Sequence, residues 1–131
     1  RAHKALQAEL TRLLDDAAAI PASFRDRLRQ TLDRSISFAE RVATEPALED
    51  NARAAASSLY HVTSAILMAW ESAQPDADAR RALYARSILD HRLGVQDPLQ
   101  PSNSQLERAA ADILLSDRQV SFAEIAGLLD Q

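Results

Sequence analysis

The 131-residue chain has no cysteine, which excludes a disulfide framework and a thiolate-bound metal and fits a reducing compartment. Glycine occurs twice, at Gly94 and Gly127, too far apart to build a phosphate-cradling loop, so neither a P-loop nor a dinucleotide fingerprint is present. A nucleophile elbow is missing as well. No apolar run approaches the roughly 20 residues of a membrane span, no N-terminal stretch reads as a signal peptide, and no run alternates as a strand would. With a net charge of −4 there is no general attraction to nucleic acid or to an anionic membrane, so any partner must be argued locally. His3, His61 and His91 lack the helical spacing to carboxylates that di-iron bundles use, and no metal site is expected. The residues themselves offer no catalytic, cofactor-binding or metal-ligating constellation.

What is present is helical periodicity. Hydrophobic residues make up 47% of the chain, too many for disorder, and the length suits one domain. Leu6, Leu10, Leu13, Leu14 and Ala17 form a one-sided stripe, which predicts an amphipathic helix over 2–19 ended by Ile20-Pro21. Ser23, with Asp26 three positions on, is placed to cap a second helix whose stripe is Phe24, Leu28, Leu32, Ile36 and Ala39, up to about Val42. Its arginines Arg25, Arg27, Arg29, Arg34 and Arg41 alternate with acids and read as a solvated face rather than an anion-binding strip. The organising stretch is 47–93. Leu48, Ala52, Ala55, Leu59, Val62, Ile66, Ala69 and Ala73 make one seam; Ala56, Tyr60, Thr63, Leu67 and Trp70 make a second, and the two merge into an apolar arc of roughly 180°. Tyr60 and Trp70 are therefore expected as core anchors and Leu59 as a core residue, with His61 facing solvent.

Beyond the Pro75-Asp76 turn, Asp76 is expected to cap a helix running to Leu93, and Gly94 to supply a left-handed stop. Ala79, Ala82, Leu89 and Leu93 face one way. Tyr84 and Ile88 lie round the helix and call for a second cover: the tail, a second copy, or a segment preceding Arg1. Arg86 and Asp90, four apart, read as a partly buried ion pair anchoring the helix end. Pro98 and Pro101 mark a linker. Ser104 to Glu107 and Ser121 to Glu124 are capping boxes, with Val120 and Ile125 placed to staple the second, so the tail is expected to be a helical hairpin. The fold class is all-α: an up-and-down helical bundle of about four main helices (residues 1–97), with a linker and C-terminal hairpin (98–131) packed on the same domain.

The run Ser58 to Glu71, followed by Arg80 to Arg86 and Asp90 to Leu93, resembles the C-terminal helical part of flavin-dependent acyl-CoA dehydrogenases, closest to the alkylation-response branch. The resemblance covers about the first 98 residues and rests on two adjacent helices and their turn. It implies a non-catalytic packing and oligomerisation domain of a cytoplasmic oxidoreductase, with FAD held by an upstream flavoprotein core of the same chain and the catalytic glutamate there too. No residue of this chain matches those functional positions. A start at Arg1 rather than Met fits a fragment. The competing expectation is a self-standing regulatory or DNA-binding module, since Val120 to Leu129 is reminiscent of the first part of a helix-turn-helix. Against it, the tail carries few cations for phosphate contacts.

Overall fold

The computed structural model describes residues 2–94, 98–99 and 104–130. In chain order these form α1 (Ala2–Asp16), α2 (Ala22–Thr44), a 3-10 turn (Pro46–Asn51), α3 (Ala52–Ser72), α4 (Arg80–Ile88), a π turn (Leu89–Leu93), α5 (Ser104–Leu114) and α6 (Phe122–Leu129). The fold is all-α. Helix α3 is the hub, with α1, α2, α4 and the π turn lying against it, while α5 and α6 lie against α4. No helix among the described residues is long and apolar enough to cross a membrane.

Helix α1 buries Leu10, Leu13 and Leu14, as its stripe requires, but ends at Asp16 rather than at residue 19. Two tight turns follow, with the Ala17 N–H donating to the Leu14 carbonyl (3.2 Å) and the Ile20 N–H to the Ala17 carbonyl (3.1 Å). They swing Ala17 and Ile20 into the core before Pro21. Ser23 does not cap α2. Pro21, at φ −52° and ψ 137°, stands at the cap position and accepts the Arg25 N–H (3.0 Å). The Ser23 hydroxyl, in the first turn, donates to Asp130 of the tail. The proline ring fixes φ at the entry and so sets the direction from which the chain runs into the helix. Helix α2 continues past Val42 to Thr44, and the expected long helix then opens as a 3-10 turn that runs directly into α3.

Helix α3 is turned from its expected setting. Ala55, Val62, Ala65, Ile66, Ala69 and Ser72 are its buried residues. Leu59 is half-buried, as is His61, which therefore does not simply face solvent. The second seam is largely open: Ala56 is exposed, Tyr60 is 68% exposed and Leu67 39%. On a wheel of about 100° per residue the buried arc is rotated by roughly 80° from the expected one. Tyr60 is thus no core anchor. Trp70 is half-buried, packed at the rim of the core, and its indole N–H donates to Asp16 Oδ2 (3.1 Å), tying α3 to the end of α1.

Asp76 adopts a positive φ of 61°, a left-handed setting that Asp tolerates better than most residues, and so shapes the turn instead of capping. The acceptor at the start of α4 is Asp78, whose Oδ1 takes the Arg80 N–H at 2.8 Å. Gly94 is not left-handed either: its φ is −83° and ψ 157°. The widened π turn brings the carbonyl oxygens of Leu89 and Asp90 within 3.0 Å of where a Cβ would stand. Any demand for glycine there is one of space, not of its sign of φ.

The tail is fastened to α4. Val120, Ile125 and Leu129 belong to the same buried cluster as Leu14, Phe24, Leu28, Ile66 and Leu83. The Ala79 N–H donates to the Val120 carbonyl (2.9 Å). Ser121 stands at the cap position of α6 without a side-chain cap bond, and Glu124 reaches Arg118 at 2.5 Å. Val120 and Ile125 are both fully buried, in the staple positions. Of the expected linker, Pro98 and Leu99 are exposed; Pro101 lies outside the described residues, as do Arg1 and the side chain of Ser104.

Candidate functional site

The arginines of α2 have three different fates. Arg27 Nη2 donates to Asp90 Oδ1 at 2.6 Å, and Arg86 Nη2 approaches Asp90 Oδ2 at 3.2 Å, so one carboxylate is shared by two guanidinium groups from α2 and α4. Arg86 is only 9% exposed and its Nε is buried without a partner. The expected Arg86–Asp90 pair is present and is larger than expected, since it crosses to α2. Arg29 is held by Asp15 (2.7 Å) and Asp26 (3.3 Å), bridging α1 and α2, and Arg41 pairs with Glu45 at 3.4 Å. The guanidinium groups of Arg25 and Arg34 make no ion pair or hydrogen bond among the described residues.

Arg34 lies on a groove of about 480 Å³, open to solvent, formed by α2 together with Ser58 of α3 and Leu93 of the π turn. Ser35 on its wall is 6% exposed, and its hydroxyl finds no partner among the described residues. A second open groove, near 590 Å³, lies between the start of α1 and the end of α2. There Glu40 is approached by Lys4 Nζ (2.8 Å) and His3 Nε2 (3.1 Å). The Lys4 hydrogen bond holds the Glu40 carboxyl below the usual carboxylate range. Arg118 does the same to Glu124, helped by the Ser121 backbone N–H, which is the half of the capping box that forms. Arg12 likewise depresses Glu9.

The remaining candidates do not converge. His3 sits beside Glu40, His61 meets the edge of Tyr60 (centroids 5.2 Å apart, planes at 67°), and His91 is exposed on the π turn. Among the described residues no three histidines or carboxylates are grouped to hold a metal ion. The polar groups on the two grooves are hydroxyls of serine and threonine, the cations of Arg34, Arg41 and Lys4, the imidazole of His3, and the carboxylates of Asp33 and Glu40. Two residues escaped sequence reasoning. Arg80, in the first turn of α4, donates through Nη2 to the Ser116 hydroxyl (3.2 Å) and the Arg118 carbonyl (2.6 Å), and so locks the loop between α5 and α6. Its signal was available, because a cation at a helix N-terminus opposes the macrodipole unless its side chain is used elsewhere. Ser35 falls at i+3 from Leu32 on the buried stripe, the mark of a polar residue placed in a core position.

No protein-family model matches the chain, and neither a curated protein nor a solved structure is similar enough to count as a relative.

Proposed function

We propose that this chain is the non-catalytic helical domain of an acyl-CoA dehydrogenase-like flavoprotein of the cytoplasm, whose work is packing against its own FAD-bearing core and against further copies. The observation that carries this is the open apolar side of α3, where Tyr60 (68% exposed) and Leu67 (39% exposed) follow one another on one face beside Ala56. A helix apolar over so wide an arc, with only half of it covered by its own chain, is built to be covered again. Support also comes from the resemblance itself: its run Ser58 to Glu71 lies on α3, and Arg80 to Leu93 on α4 and the π turn, two adjacent packed helices.

The test has two parts. The reading frame preceding Arg1 is expected to encode a flavin-binding core; a start codon close to residue 1 would remove this reading. Joined to that core, the protein is expected to sediment as an oligomer that Leu67→Glu dissociates. An oligomer indifferent to Leu67→Glu and Tyr60→Glu would show that the open face is not the contact. The tail gives no support to a DNA-reading role, since one of its two arginines, Arg118, is spent on Glu124.

A further inference from the structure

The groove on α2 has walls of unequal character, and the inequality points to a ligand. Thr31 spends its hydroxyl on the Arg27 carbonyl (2.8 Å) and Ser58 on the Ala54 carbonyl (2.9 Å). Asp33, at the edge, takes a hydrogen bond from Gln7 Nε2 (3.0 Å). Left over are the guanidinium of Arg34, the unengaged N–H groups of Arg41 beyond its long contact to Glu45, and the hydroxyls of Ser37 and of Ser35, a residue 6% exposed whose hydroxyl has no partner among the described residues. Two of the four carry positive charge and all can donate. Against them stand Phe38 and Leu93, which give the same groove an apolar wall.

A hydroxyl that opens on the groove and is not engaged within the chain is available to donate to an arriving acceptor. A guanidinium offers two parallel N–H groups to a carboxylate or phosphate, and a cleft of this size is in the range that small-molecule sites occupy. We infer that the groove between α2, α3 and the π turn is a binding site for a small organic anion, its phosphate or carboxylate head held by Arg34, Arg41 and Ser35 and its apolar body laid on Phe38 and Leu93. The site is distinct from the open face of α3 and does not depend on the packing role assigned to that face.

Phenyl phosphate is a suitable probe, with inorganic phosphate and phenol as its two halves, each titrated into the 15N-labelled 131-residue chain and followed by NMR. Phenyl phosphate is expected to bind saturably, to shift the amides of Ser35 and Phe38 first, and to bind more tightly than either half. Arg34→Gln should weaken it about tenfold. Ser35→Ala should weaken it about threefold while leaving the melting temperature within roughly 2 °C, because the hydroxyl it removes bonds to nothing in the folded chain. Absence of saturation below about 10 mM, equal binding of phenol or of inorganic phosphate, or unchanged affinity in either variant would each overturn the assignment.

Discussion

Along α3, Val62, Ile66 and Ala69 are wholly buried, whereas Tyr60 and Leu67, within two positions of them, are 68% and 39% exposed. The difference follows from the size of the residues at the seam. Ala55, Ala65, Ala69 and Ser72 line the buried side, and small side chains let α2, α4 and the π turn lie close against the helix at its most crowded points. The larger Tyr60, Leu67 and Trp70 sit on the side away from that crossing or at its rim. An apolar arc therefore tells how much of a helix is meant to be covered, and the small residues tell which part its own chain covers.

The largest effect is expected from cutting into the buried side of α3. Ile66→Ala removes a fully buried side chain from the main cluster and is expected to cost about 2–5 kcal/mol in urea unfolding, the usual range for such a truncation in a packed core. A loss below about 0.5 kcal/mol would mean that the crowded side of α3 lies elsewhere.

Next comes the end of the buried side, where the π turn packs on α3. Gly94→Ala should cost about 1–3 kcal/mol, because its methyl would meet the Leu89 and Asp90 carbonyl oxygens at 3.0 Å and the turn would have to give. The φ of −83° is one that alanine adopts freely, so a destabilised Gly94→Ala variant shows crowding rather than a lost left-handed residue. A thermal melt of the variant beside Gly127→Ala, where nothing stands within 4 Å of the added methyl, separates the two causes.

Smaller again is the effect of acid on the surface pins of the bundle. Glu9, Glu40 and Glu124 are each held below their ordinary value of 4.5 by Arg12, Lys4 and Arg118. A carboxylate depressed in the folded state stabilises it above the unfolded pKa, and that contribution fades as pH falls through the folded one. Stability is therefore expected to decline on acidification below about pH 4.5, with Glu40→Gln and Glu124→Gln each flattening the decline. Melts from pH 6 downward check it, and a profile unchanged in the double variant would show that these pins carry none of it.

Much of this was legible in the chain. The stripes of α1 and α2 named Leu10, Leu14, Phe24, Leu28, Leu32 and Ile36 correctly as core, because on an amphipathic surface helix one apolar face has one place to go. The Arg86–Asp90 pair was legible from its spacing, whereas the share taken by Arg27 was not, since it joins residues 63 apart. Helix ends were read less well. Ser23, Asp76 and Gly94 all have the right chemistry for a cap or a stop, and each was displaced by a neighbour: Pro21 by pre-setting φ, Asp78 by reaching the Arg80 N–H, and the π turn by widening the last coil of α4. The groove on α2 was invisible because it sets Ser58 of α3 and Leu93 of the π turn beside α2, a juxtaposition that only the fold makes.

The smallest expected effect belongs to the open side of α3, and it bears most directly on the comparison. Tyr60 and Leu67 contribute little apolar area to the core of the isolated chain, so Tyr60→Ser and Leu67→Ser should each change its stability by no more than about 0.5 kcal/mol, as surface substitutions do. The Tyr60–His61 edge contact is exposed on the tyrosine side, and losing it fits within that range. The measurement is a urea melt of each variant at two protein concentrations well apart. A small, concentration-independent change confirms that one side of the helix holds the fold and the other does not. A loss above about 1 kcal/mol that grows with protein concentration would mean that copies of the chain already cover this side, because association stabilises the folded state by mass action and the parent protein would gain what the variant loses. The two sides of α3 would then differ only in which chain buries them, one by its own helices and the other by a neighbour's.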